Sequence, residues 1–102
     1  MNGEKKQIVW LPSAKEDLKK LIQYIKKDSL QNALKVKTEI LHKISALSVF
    51  PEKYPPDKFK LLNSESNYRA FELHKIRIAY YISNDQIMII RVRHVKQEPL
   101  FY

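Results

Sequence analysis

The chain has no cysteine in its 102 residues and a single glycine, Gly3. Without thiols, neither a disulfide nor a thiolate zinc site can form, and the redox compartment stays open. With one glycine, every glycine-rich phosphate loop is ruled out. Turns must be built from Asn, Asp and Pro. No apolar run is long enough to cross a bilayer. The polar stretch from Met1 to Gln7 leads straight into Ile8-Val9-Trp10, so no signal peptide, no membrane partner and a cytoplasmic location are expected. The three histidines are scattered and carboxylates do not cluster, so neither a metal site nor a cofactor is expected. Internal repeats and low-complexity segments are missing as well.

Acid is also scarce. Lys and Arg number 19 against 11 Asp and Glu, for a formal net charge of +8 and a pI near 9.7. That balance favours a polyanionic partner: nucleic acid, an acidic protein or a charged membrane surface. Much of it is lysine in pairs such as Lys19-Lys20 and Lys26-Lys27, the pattern of a solvated helix face. At this length, residues 1–102 are expected to form one domain with a modest core that needs no staples.

The apolar pattern supplies the elements. Ile8 to Leu11 reads as a short strand stopped by Pro12. Ser13 is placed as an N-cap, with Glu16 completing a capping box. Ala14, Leu18, Leu21, Ile22 and Ile25 then recur at helical spacing, flanked by Tyr24. Asp28-Ser29 interrupts the stripe, and Gln31 and Asn32 are placed for a second cap. Ala33, Val36, Ile40, Ile44 and Leu47 form a second stripe, widened by Leu41. The short break makes an antiparallel helical hairpin. Phe50-Pro51 ends it, Tyr54-Pro55-Pro56-Asp57 is a proline-stiffened loop, and residues 61–67 are a polar, mobile connection.

Three strands follow: Tyr68 to Leu73, Ile76 to Ile82 and Gln86 to His94. They carry Arg69, Arg77, Arg91, Arg93 and His94. The order β-α-α-β-β-β predicts an α+β fold with the hairpin packed on one face of a small, mostly antiparallel sheet. A two-residue turn at His74-Lys75 sets Glu72 opposite Arg77 and Ala70 opposite Ala79. Phe71, Leu73, Ile76, Ile78, Tyr80 and Ile82 then face the helices, and Tyr68, Glu72, Arg77 and Tyr81 the other side. The facing of the last strand stays open. A two-residue Asn84-Asp85 turn puts Met88, Ile90, Val92 and His94 on Arg77's face and Arg91 and Arg93 on the helix side; a bulge or longer turn reverses this.

Together these segments resemble the RelE/ParE toxin superfamily. The resemblance rests on Trp10-Leu11-Pro12-Ser13-Ala14, Asp17-Leu18, Ile22, Tyr24-Ile25, Ala33, Ile40, Ile44, Leu47 and Phe50-Pro51-Glu52. It continues through Tyr68-Arg69-Ala70-Phe71, Ile76-Arg77-Ile78-Ala79-Tyr80 and Ile89-Ile90-Arg91-Val92-Arg93-His94. It implies the toxin of a bacterial type II toxin–antitoxin pair, held inactive in a hetero-oligomer by an acidic, partly disordered antitoxin. RelE-like members cut mRNA at the ribosome, and ParE-like members block DNA gyrase. The Asp17-Leu18 … Tyr24-Ile25 pattern, and Gln97-Glu98-Pro99 where RelE-like nucleases are basic, lean toward gyrase.

If the chain is RelE-like, the resemblance implies Arg77 as phosphate clamp, His94 as acid or base and Tyr102 as stacking group or proton donor. Arg69, Arg91 and Arg93 are the candidates for target or antitoxin contact. Beside these stand blander readings: a cross-strand Glu72–Arg77 pair, a structural Arg69 at the sheet edge, Trp10 and the tyrosines as packing. His42 and His74 are expected to have no role. The third reading of the whole chain is a non-toxic, basic nucleic-acid-binding module.

Overall fold

The structure is a computed structural model, and it describes residues 5–97 and 101–102. Glu98 and Pro99 of the segment after the last strand lie outside the described residues. The chain runs β1 (Gln7–Trp10), α1 (Pro12–Asp28), α2 (Leu30–Ala46), β2 (Tyr68–Leu73), β3 (Ile76–Ile82) and β4 (Gln86–His94). One four-stranded sheet has the order β1-β4-β3-β2. β1 pairs in parallel with β4; the other two pairings are antiparallel.

Helix α1 begins at Pro12, one residue earlier than a Ser13 cap requires. Leu11 is the N-cap residue and contributes no side-chain bond, so the expected Ser13–Glu16 capping box does not form. Proline suits the first helical position because its missing N–H is one that helix geometry leaves unpaired. The break between the helices is Ser29 alone, in extended backbone, and its hydroxyl accepts from the Asn32 amide at 3.0 Å. Ala14 and Leu18 of α1, and Ala33, Val36, Ile40 and Ile44 of α2, are buried. Leu41 is exposed. The two stripes thus press onto one face of the sheet, where Phe71, Ile76, Ile78, Tyr80, Ile82, Ile87, Ile89 and Val92 complete the core. Each of the large aliphatic side chains removed from water there contributes about 1.5–3 kcal/mol. Trp10 is partly buried against this cluster. No described helix is long and apolar enough to cross a membrane.

The hairpin β2–β3 has the expected register, with Glu72 opposite Arg77 and Ala70 opposite Ala79. Its turn residues His74 and Lys75 both take positive φ, 55° and 64°. A two-residue hairpin loop that follows the sheet's twist asks for this, although asparagine and glycine meet it at lower cost. The β3–β4 loop is also two residues, Asn84-Asp85, closed by the Ser83 amide on the Gln86 carbonyl at 2.9 Å. Tyr81 therefore faces Met88. Farther along, Tyr80 pairs with Ile89 but Ala79 pairs with Arg91, which leaves Ile90 as a bulge. The bulge reverses the alternation. Val92 stays in the core, and Arg91 and Arg93 turn to the face away from the helices. Both halves of the open question are thus realised in one strand.

The connection from α2 to β2 is pinned along β2. Pro56 bridges to Arg69, and the Asp57 amide donates to the Tyr68 carbonyl at 2.8 Å. Residues 61–67, read from sequence as mobile, are held by Asn63. Its side chain accepts from the Tyr68 amide at 3.0 Å and donates to the Tyr68 carbonyl at 2.9 Å.

Candidate functional site

The sheet face away from the helices gathers the cations. Arg77 stands opposite Arg93 and Ala79 opposite Arg91, so three guanidinium groups share this face because directly paired residues project together. Between them lies a shallow pocket of about 120 Å³, with Ala79 as its small residue and Asp57, Phe59, Glu72, His94 and Gln97 among its other walls.

Asp57 organises the site. It is the only buried polar or charged residue among those described, at 3% exposure. One carboxylate oxygen accepts from Arg77 Nη2 at 2.8 Å and from the Phe59 amide at 3.0 Å. The other accepts from the Tyr102 hydroxyl at 2.7 Å. Burial alone raises the carboxyl's pKa, but the bonds from Tyr102, Arg77 and the Phe59 amide outweigh it and hold the group below the usual carboxylate range. Asp57 is therefore ionised at neutral pH.

Arg77 is doubly committed. Its Nη1 donates to Glu72 at 2.8 Å, its Nη2 to Asp57, and its guanidinium carbon lies 4.7 Å from the centre of the Phe59 ring. Burial works against its charge, yet the two carboxylates more than offset that and raise its pKa. The cross-strand Glu72–Arg77 pair read from sequence is present, and Asp57 adds a second carboxylate from the loop before β2.

Tyr102 is docked by more than its hydroxyl. Its amide donates to the Phe59 carbonyl at 2.9 Å, and its carbonyl accepts from the Leu61 amide at 2.7 Å. Its ring lies 4.2 Å from the Arg91 guanidinium and 4.9 Å from Lys60 Nζ, which also sits 4.7 Å from the Tyr68 ring. Tyr68 and Tyr81 contact each other across the strands at 4.7 Å. Burial raises the Tyr102 phenol's pKa well above its ordinary value, and the Asp57 carboxylate adds to this. Burial lowers that of Arg93, with the neighbouring charges of Arg91 and Arg77 acting in the same direction.

Of the residues singled out in sequence, Arg77, Tyr102, Arg91, Arg93 and His94 are brought to this face or its rim. His94 ends β4, and its Nδ1 accepts from the Lys96 amide at 3.0 Å. Arg69 is not brought there. It pairs with Tyr80 on the helix side, and its guanidinium donates to the carbonyls of Tyr54 at 2.7 Å and Ser66 at 3.0 Å. His74 bonds Glu39 on α2, so it fastens the hairpin tip to the helix layer. Among the described residues, no group of His, Asp and Glu is placed to hold a metal ion. Sequence reading missed Asp57. The one available signal was a lone acid behind two prolines, in a chain where acids are few.

Comparison with known proteins adds an independent line. The family model described as the ParE toxin of the type II toxin–antitoxin system parDE matches residues 8–99. Among solved structures, the chain is similar to one described as the chromosomal ParDE toxin–antitoxin system of P. aeruginosa. The TM-score is 0.71 at 18% identity, covering 90% of this chain and 98% of that one. It is also similar to the RelBE2 toxin–antitoxin complex of Mycobacterium tuberculosis. There the TM-score is 0.55 at 19% identity, covering 90% and 93%. No curated protein sequence matches. At these identities the structural likenesses establish the fold.

Proposed function

The chain belongs to the ParE toxin family of type II toxin–antitoxin systems, and on that premise we propose that it arrests bacterial growth by binding DNA gyrase. In the resting cell an acidic antitoxin would hold it inactive in a cytoplasmic hetero-oligomer. The net charge of +8 favours an acidic partner and would steer its approach. The similar solved structures are themselves described as toxin–antitoxin systems.

The observation that carries the gyrase reading is the mutual commitment of Arg77, Asp57 and Tyr102. RNA cleavage needs an acid and a base that exchange protons near neutral pH. Here the Tyr102 phenol is bonded to a buried carboxylate and its pKa is raised, while that carboxylate's is lowered. Such a set is suited to presenting a rigid surface rather than to shuttling protons. The surface combines guanidinium groups with aromatic rings, the mixture enriched where protein partners bind tightly.

One observation favours the second reading, ribosome-dependent mRNA cleavage. Arg77, Arg91, Arg93 and His94 line a single pocket of a size to take a phosphate group. The test is a pair of assays on the purified protein. Loss of gyrase supercoiling with mRNA left intact on translating ribosomes is the expected outcome. Cut mRNA with normal supercoiling would replace the gyrase reading with the second. No effect in either assay would leave the non-toxic nucleic-acid-binding module.

A further inference from the structure

We propose that Asp57 is the positioning residue of the open sheet face: without meeting the target itself, it fixes Arg77 and Tyr102 in the arrangement that the target recognises. The inference rests on reading this face as the target-binding surface, whichever the target is.

The division of labour within one carboxylate carries the argument. One oxygen holds Arg77 from β3, and the other holds Tyr102 from beyond β4. The two are 25 residues apart in sequence, taking Tyr102 less Arg77, and Asp57 lies outside that span. Asp57 is itself fixed by backbone. Its amide is bonded to the Tyr68 carbonyl, its carbonyl accepts from the Lys60 amide at 3.1 Å, and Pro55 and Pro56 precede it. Proline locks φ and so narrows the directions in which the following side chain can be launched. The carboxylate is thus a rigid post with two tethers.

What hangs on the tethers is the functional surface. The Arg77 guanidinium is held over the Phe59 ring, 4.7 Å from its centre. The Tyr102 ring is set over Arg91 and beside Lys60. One buried charge therefore sets the directions of side chains on β3, β4 and the segment after Asp57. For stability alone the arrangement is a poor choice, because a buried ion pair contributes little beyond what apolar residues of the same volume would supply. Its distinctive yield is orientation, and a surface held in its bound geometry loses less entropy on association.

The experiment uses the full chain with Asp57→Asn and Tyr102→Phe. Three readouts are taken: growth arrest at matched levels of folded protein, thermal midpoint, and NMR signals of the Arg77 guanidinium and the Tyr102 ring. Tyr102→Phe keeps the ring and its backbone bonds, so it remains folded even where Asp57→Asn does not. The expected result is a thermal midpoint for Tyr102→Phe lowered by a few degrees, since the buried Asp57 carboxylate loses its hydroxyl partner, a shifted ring signal, and potency in growth arrest reduced about tenfold, the equivalent of one lost hydrogen bond to a charged group. Asp57→Asn is expected to mobilise the Arg77 guanidinium as well and to lose more. Wild-type potency in variants whose Arg77 and Tyr102 signals have moved would overturn the proposal, leaving Asp57 a purely structural residue. Unmoved signals in Asp57→Asn would overturn it too. Gyrase supercoiling with the wild type tests the target separately. A wild type that arrests growth but spares gyrase sinks the gyrase reading and leaves the role of Asp57 standing.

Discussion

Asp57 and Arg77 meet at 2.8 Å across twenty residues of sequence, the carboxylate almost wholly buried and the guanidinium mostly so. A charge pair withdrawn from water this far depends on both partners. Asp57→Ala leaves Arg77 with Glu72 alone and deprives the Phe59 amide and the Tyr102 hydroxyl of their acceptor. The expected cost is about 3–5 kcal/mol, the range found when one member of a buried pair is removed. Chemical denaturation of the variant against wild type measures it. Glu72→Gln removes only the half-exposed partner, and its expected cost is below about 1 kcal/mol.

The same cluster sets the response to pH. Asp57 has a lowered pKa in the folded state, so its stabilising contribution is present above the unfolded value, roughly 4, and is lost as pH falls through the folded one. Tyr80 and Tyr102 act at the other end. Burial pushes the Tyr80 phenol up to about 12, with its hydroxyl donating to the Pro51 carbonyl at 2.7 Å, and Tyr102 is raised further. A phenol whose folded pKa is raised keeps its proton longer folded than unfolded, so stability falls as pH climbs past roughly 10. Ultraviolet titration should show the Tyr80 and Tyr102 phenols ionising late, together with unfolding. Tyr102→Phe should remove the late step that belongs to Tyr102.

The bulge at Ile90 decides which face the arginines occupy. Straightening the strand with Ile90 retained would turn Arg91 and Arg93 toward the helices and bury charge without partners, at several kcal/mol. Deleting Ile90 removes the extra residue and leaves every other pairing in place, so Ile87, Ile89 and Val92 stay in the core and Arg91 and Arg93 stay on the open face. The deletion variant is therefore expected to keep its fold by circular dichroism at room temperature. An unfolded deletion variant would mean that the bulge itself, and not only the facing it sets, is needed for the fold.

The β2–β3 turn holds stability in reserve. His74 and Lys75 both occupy left-handed backbone, where side chains other than asparagine and glycine cost roughly 1–2 kcal/mol each. The double substitution His74→Asn and Lys75→Gly should raise stability by about 1 kcal/mol, less whatever the lost His74–Glu39 contact contributed. A thermal melt measures the difference.

How much of this was legible beforehand varies with the range of the interaction. The helices and the β2–β3 register followed from spacing alone: Leu18 and Ile22 repeat at helical intervals, and Phe71, Leu73, Ile76 and Ile78 alternate about a short turn. The cap of α1 was misplaced because Ser13 and Glu16 make a plausible capping box, whereas Pro12 fits the first helical position better. The facing of β4 was undecided because a bulge at Ile90 is fixed by packing on both sides of the strand, and no residue type announces it. Arg77, His94 and Tyr102 were visible through family resemblance. Asp57 was not, because its role depends on partners twenty and forty-five residues away. A sequence shows a loop acid there and nothing of what converges on it.

The central claim, growth arrest through gyrase, is tested most directly by inducing the protein in a bacterial host and pulse-labelling DNA and protein synthesis over the first minutes. DNA synthesis stopping first is the expected result, with translation following only later. Translation stopping first, with DNA synthesis still running, would contradict it.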